Sequence, residues 1–283
     1  MDRSTARHRL PTVLLCAVTA GAALTGCGSG GSDDHGRRPP TRSASTSATA
    51  SPSTATTPPG PAPTSTPPVG TLPTAYDFTP DPARVPRTTA QARRLASDAV
   101  LTPDTWSQGM VRHTPYEVSG SWPVLGTSCV WSRGTLPPHV LATVTRWIDK
   151  PARDGKGRVR GSVTVTVHRT ERDADREIDD SVQQGFRCPD QELGGGQRVR
   201  DLMSMRFQEK DLRNAHASLF EAGTFTGPGS GGPQGYAWSK ARIGPVTAAI
   251  AVKGAHGYDR TEVLRLAAEG AARVLYRIER ELQ

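Results

Sequence analysis

The stretch GSVTVTVHRT constrains this chain more than any other. Val163, Val165 and Val167 alternate with Ser162, Thr164 and Thr166, a period of two that a strand satisfies by sending successive side chains to opposite faces. An apolar face alternating with a hydroxyl face predicts a sheet with one face covered. The folded part therefore has to be a layered structure in which something packs on the valine side.

The neighbouring segments supply both partners and cover. HVLATVTRWID and SCVWSR read as further strands, and GYAWSKARIGPVTAAIAVKG reads as two apolar-rich strands around a tight turn at Gly244-Pro245. The runs QRVRDLMSMRFQ and NAHASLFEAGTF are strand-like with weaker patterns. TTAQARRLASDAVL has Ala92, Leu95, Ala99 and Val100 on one side with Thr88 or Thr89 as cap, and TPDTWSQGM forms a short helical turn holding Trp106. ERDADREIDDSVQQGFRC places Ala174, Ile178, Val182 and Phe186 on one helical stripe, and DRTEVLRLAAEGAARVLYRIERELQ turns Val263, Leu266, Ala267, Ala271, Val274, Leu275 and Ile278 inward. Strands and helices come in blocks, not in strict alternation. The expected class is α+β, a mainly antiparallel sheet with helices packed on one face, occupying residues 76–283.

The N-terminal quarter has a different composition. Residues 1–26 carry Arg3, Arg7 and Arg9 ahead of a mostly apolar run from Leu10 to Leu24, the layout of a secretory signal. That run is shorter than the roughly twenty residues a membrane-spanning helix needs. Its end, Leu24-Thr25-Gly26-Cys27, resembles the lipobox of bacterial lipoproteins, which implies diacylation of Cys27 and a membrane anchor of palmitate type. Residues 27–75 are Ser, Thr, Pro, Ala and Gly with almost no large apolar side chain. Such a segment cannot bury enough surface to offset the entropy of ordering, so a disordered tether is expected, with a composition that suits O-glycosylation. Export leaves Cys129 and Cys188 as the remaining cysteines. In an oxidising compartment such a pair is expected to bridge, the alternative being two buried thiols.

The formal charge is +8, of which the leader contributes Arg3, Arg7 and Arg9 against Asp2, leaving about +6 on the mature chain. In an exported protein that sign suits anionic lipids or wall polymers and speaks against nucleic acid. The run KPARDGKGRVR concentrates Lys150, Arg153, Lys156, Arg158 and Arg160. A solvated hairpin tip is the plain reading of this cluster, and a basic binding patch is the candidate function.

The lipobox at Cys27, the Pro/Thr tether, the SCVW segment at Ser128 to Trp131, the helix ending in FRC at Phe186 to Cys188 and the last strand pair with its helix occur together in this order. In these features the chain resembles secreted, lipobox-bearing actinobacterial proteins whose globular part is similar to the extracellular sensor domain of mycobacterial PknH-type kinases. The resemblance covers roughly residues 85 to 283. It implies a cleft-bearing α+β domain in the envelope and names no catalytic residue. The sensor fold has two disulfides, where this domain has cysteines for one.

Enzyme signatures are missing from the sequence. Ser230 sits in Pro228-Gly229-Ser230-Gly231-Gly232, without the first glycine of a nucleophile elbow and without a following helix. Gly227, Gly229 and Gly232 spell G-x-G-x-x-G, but Pro233 stands where a phosphate-binding helix should open. His113, His139, His168, His216 and His256 are isolated in sequence, and neither cysteine has metal-ligand spacing. The expectation is a protein that is not an enzyme, with no cofactor and no metal. Trp106 and Trp122, in loop-like surroundings, are the candidate ligand-binding residues, whereas Trp131 and Trp147, in strands, are expected to pack in the core. The expected function is binding of an envelope ligand, a wall glycan, a lipid or a small molecule, at the membrane. The alternatives are docking of a neighbouring envelope protein and, further behind, hydrolysis.

Overall fold

The computed structural model describes residues 75–207, 212 and 214–283, all within the compact unit Pro67–Gln283. The leader, Cys27 and the tether through Thr74 lie outside the described residues. Element order is α1 (Thr89–Ala99), α2 (Pro103–Trp106), β1 (Val111–Ser119), β2 (Trp122–Leu125), β3 (Trp131–Gly134), β4 (Val140–Lys150), β5 (Val159–His168), α3 (Glu171–Arg187), β6 (Gln191–Gly194), β7 (Gln197–Phe207), β8 (Ala217–Thr226), β9 (Gln234–Ile243), β10 (Val246–Lys253) and α4 (Arg260–Leu282). No described helix is long and apolar enough to cross a membrane.

The fold is α+β. One eight-stranded sheet runs β1-β4-β5-β10-β9-β8-β7-β6, and each neighbouring pair is antiparallel. β2 and β3 form a separate hairpin. The turn at Gly244-Pro245 joins β9 to β10 in register, with Val246 opposite Ile243 and Gly244 at φ +52°, a conformation in which glycine carries no Cβ penalty.

Register converts the alternation of β5 into two surfaces. On one face Val163, Val165 and Val167 lie beside Ile250, Ala248 and Val246, and these beside Ser239, Ala241 and Ile243. α1 and α4 cover this face, burying Ala92, Leu95, Val263, Leu266, Val274 and Ile278 against it. Both helices start on side-chain caps: Thr88 and Gln91 for α1, Asp259 and Glu262 for α4, each pair satisfying backbone N–H groups that the helix start leaves unpaired. The last carbonyls of α1 accept from Arg146 Nη1 (Val100 O, 2.9 Å) and Arg277 Nε (Ala99 O, 3.0 Å), cations placed at the negative end of the helix dipole.

Helix placement departs from the sequence expectation in one respect. α1, α2 and α4 share a face, but α3 lies against the other, over β7, β8 and β9. The cause is its inward stripe, which carries Glu177 and Ser181 as well as Ala174, Ile178 and Val182 and so fits a face that presents hydroxyls and a lysine. Phe186, expected on that stripe, is 71% exposed. Gly185 takes the close contact instead, with Ser204 and Glu221 where a Cβ would point.

Candidate functional site

The face opposite α1 and α4 can be built row by row from strand pairing. Across β4, β5, β10 and β9, one row is Asp149, Arg160, Lys253 and Tyr236; the next is Trp147, Ser162, Ala251 and Trp238; the next is Thr145, Thr164, Ala249 and Lys240. In the middle row two indoles stand at the ends and two small residues between them. Trp147 and Trp238 are three strand spacings apart, about 14 Å. Small residues at Ser162, Ala249 and Ala251 therefore make the floor of a groove and the tryptophans make its sides.

The β2–β3 hairpin closes this groove from above. Pro123 pairs with Arg133 and Leu125 with Trp131, so these residues share one side of the hairpin. Pro123, Trp131 and Arg133 line a cavity of about 250 Å³ together with Trp147, Tyr236 and Trp238. The guanidinium of Arg133 lies 5.6 Å from the centre of the Trp147 ring, a cation–π distance. Trp131 Nε1 donates to Gln191 Oε1 at 2.7 Å, and Glu192 N donates to Cys129 O at 2.9 Å. The disulfide Cys129–Cys188, with Cα atoms 5.4 Å apart, fixes the hairpin turn to the C-terminal end of α3. The bridge expected from the sequence thus holds one wall of the groove in place.

A buried polar cluster forms the α3 end. Glu177 Oε1 accepts from Lys240 Nζ at 2.7 Å, and Glu177 Oε2 accepts from Thr247 Oγ1 at 2.5 Å and stands 2.9 Å from His168 Nε2. Lys240 Nζ also donates to Ser181 Oγ at 2.9 Å. Burial alone would push the Glu177 carboxyl up; the Lys240 ammonium and His168 outweigh it and hold it well below the usual carboxylate range. With three donors on it, this carboxylate fastens α3 to the sheet. Nearby, burial pushes the Glu221 carboxyl up, against a hydrogen bond from Ser204 Oγ at 2.7 Å.

The opposite end of the groove is wider and charged. A second space of about 340 Å³ is lined by His113, Trp147, Asp149, Arg160, Gln197 and Lys253, and it shares Trp147, Ser162, Ala251 and Lys253 with the first. Asp149 Oδ2 is engaged by His113 Nδ1 at 2.9 Å and by Arg158 Nη1 at 3.8 Å. Lys253 Nζ donates to Gln197 Oε1 at 2.8 Å. Burial, then the neighbouring Arg160, bring its ammonium down to about 8. Among the described residues no group of three or more His, Cys, Asp and Glu is arranged to hold a metal ion.

The structure reverses the roles expected of the tryptophans. Trp106 is 0% exposed, far from the groove on the helix-covered face, with Nε1 donating to Leu266 O at 3.0 Å. Gly161 and Gly270 make its slot, since a Cβ on either would stand 2.6 Å and 2.7 Å from the indole. Trp122 lies in β2, not in a loop, between Ser121 and Pro123, which line the groove. Its own ring turns to the other side of the strand and meets His168 edge-on at 6.5 Å. Trp131 and Trp147, expected in the core, are half-buried groove walls.

The basic cluster is a hairpin tip, with Arg153 and Lys156 bridging around Asp154 and Gly155. Its charges separate. Lys156 Nζ donates to Glu262 Oε1 at 2.9 Å, and both Lys156 and Lys150 stand over the Tyr258 ring. Arg153 pairs with the adjacent Asp154 at 3.3 Å, while Arg158 and Arg160 belong to the charged end of the groove. The sequence did not join His168 to Glu177. The available signal was a carboxylate on the inward stripe of α3, three residues from Ala174 and four from Ser181.

No protein-family model matches the chain, and no curated protein matches it in sequence. Among solved structures it is similar to the extracellular domain of PknH from Mycobacterium tuberculosis, at 11% identity and a TM-score of 0.42, over 67% of this chain and 97% of that one. A likeness at this level transfers no residue role.

Proposed function

We propose that this chain is a membrane-anchored extracytoplasmic lipoprotein whose groove binds a ring-bearing envelope ligand, with a wall saccharide as the class that fits best. The observation that carries this is the middle of the groove, where Trp131, Trp147 and Trp238 flank Thr145, Ser162 and Thr164. Indole faces receive the apolar faces of sugar rings, and hydroxyls on the floor exchange hydrogen bonds with theirs. We read the groove as one that binds and does not catalyse, its buried α3-end carboxylate being engaged by Lys240, Thr247 and His168.

A titration of the full chain with neutral wall-glycan fragments, read by tryptophan fluorescence, tests the reading. A saturable change that is lost in Trp147→Ala is the expected result. No change with any fragment at millimolar concentration refutes it. A second reading, docking of a neighbouring envelope protein, is favoured by Met203 and Met205, which are 67% and 54% exposed and two apart on β7, hence on one face. In-cell cross-linking from those positions that recovers no reproducible partner removes it.

A further inference from the structure

The ligand reading above leaves the charged end of the groove without a task. Asp149, Arg160 and Lys253 stand side by side on β4, β5 and β10, directly beyond the row that holds Trp147 and Ser162. Arg158 reaches the same place, 3.8 Å from Asp149. Three cations thus face one carboxylate, and that carboxylate is engaged by His113 at 2.9 Å. The side chain of Lys253 is half-buried and its ammonium has three protons to donate. One goes to the neutral amide oxygen of Gln197, and the ammonium stands over the Phe225 ring, 5.8 Å from its centre. Among the described residues no carboxylate forms an ion pair with it. A half-buried ammonium whose partners are an amide, an aromatic face and the field of a carboxylate shared with His113 and Arg158 is costly unless a further anion arrives.

We infer that Lys253 and Arg160 form a subsite for an anionic group, phosphate in particular, carried by the same ligand whose ring lies between the tryptophans. The inference rests on the groove being a binding site, and it names the ligand more closely: a phosphorylated saccharide or the headgroup of an anionic glycolipid. The two spaces are continuous through Trp147, Ser162, Ala251 and Lys253. A ring over Ser162 therefore brings a substituent two residues further along the strands, about 7 Å, to the two cations. Lysine supplies a point charge and arginine a planar fork, the usual pair for a tetrahedral oxyanion.

Sulfate is the first probe, because it carries the same geometry and does not titrate near neutrality. Calorimetry on the full chain is expected to show saturable sulfate binding, weakened about tenfold or more in Lys253→Gln and recovered in Lys253→Arg. Affinity should fall in the wild type as pH rises through about 8 and stay level in Lys253→Arg. Asp149, His113, Arg158 and Arg160 face the same space, and both proteins share them, so the difference reports Lys253. A competition arm then separates the sources: displacement of sulfate by glucose 1-phosphate marks a soluble or wall-borne sugar phosphate, and displacement by phosphatidylglycerol vesicles but not phosphatidylcholine vesicles marks a lipid headgroup. Equal sulfate binding in wild type and Lys253→Gln, or vesicle binding that survives the substitution, overturns the subsite. Because the neutral-glycan titration reads the tryptophans and sulfate reads the cations, each reading can fail while the other stands.

Discussion

The two faces of one set of strands have been put to different uses. On the face that meets α1 and α4, β5 and β10 present Val159, Gly161, Val163, Val165, Val167, Val246, Ala248, Ile250 and Val252. On the other face the intervening positions are Ser162, Thr164, Thr166, Thr247, Ala249 and Ala251. Backbone and register are common to both, so strand formation explains neither. One face is closed by the apolar stripes of α1 and α4 and exchanges water for methyl groups. The other is closed at one end by α3 and over the top by a short hairpin, and it keeps its hydroxyls at the edge of solvent. Threonine pairs hold that face together, Thr145 with Thr164 at 2.8 Å and Thr143 with Thr166 at 3.3 Å. Stability is concentrated on the first face, and the groove proposed to bind lies on the second.

That division predicts a graded set of substitutions. The largest effect belongs to Trp106→Ala, which empties the slot between Gly161 and Gly270 and removes the hydrogen bond to the Leu266 carbonyl; about 5 kcal/mol should be lost in urea unfolding. A loss below about 2 kcal/mol would show that this face tolerates a large cavity. Replacing both cysteines of the Cys129–Cys188 bridge, which spans 59 residues, should cost about 4 kcal/mol in the chain-entropy account. The same change should red-shift the emission of Trp131 as the hairpin loosens. An unshifted spectrum would show that Gln191 and Glu192 hold the hairpin unaided.

Glu177→Gln comes next, at about 3 kcal/mol near neutral pH, since it leaves Lys240 buried without its counter-charge. Its pH dependence has a definite sign. The Glu177 carboxyl is held below its ordinary value of 4.5, so its contribution is complete above that pH and is lost as pH falls through the lower folded-state value. The wild type should therefore lose stability on acidification below about pH 4.5, and the variant should lose less over the same interval. Identical acid profiles would show that the cluster contributes nothing through charge. Trp147→Ala should have the smallest effect on unfolding, less than about 1.5 kcal/mol for a half-buried side chain, while abolishing the fluorescence response to ligand. A large destabilisation there would erase the distinction between the faces.

Much of the frame was legible in the sequence. The α1 cap, read as Thr88 or Thr89 and found at Thr88, the turn at Gly244-Pro245 and the stripes of α1 and α4 are local signals, and each emerged where local chemistry places it. β1, β2 and β6 were not read: the burial of β1 follows no period of two, and β2 and β6 have four residues each. The groove was legible only as its parts. Trp106, Trp131 and Trp147 each have at least one polar neighbour in sequence, and an indole in such a setting can face a core or a cleft.

The sequence by itself determined that a two-faced antiparallel sheet would form, that helices would cover its apolar side, and that Cys129 and Cys188 were suited to bridge. Those outcomes depend on periodicity, capping and compartment, which are properties of short segments. Only the tertiary structure decided which face α3 would take, which tryptophans would be walls and which the core, and that His168, Glu177 and Lys240 would meet. These depend on pairing between strands distant in the chain, where β5 lies between β4 and β10. A shift of one residue in that pairing would exchange the faces and, with them, the assignment of every side chain.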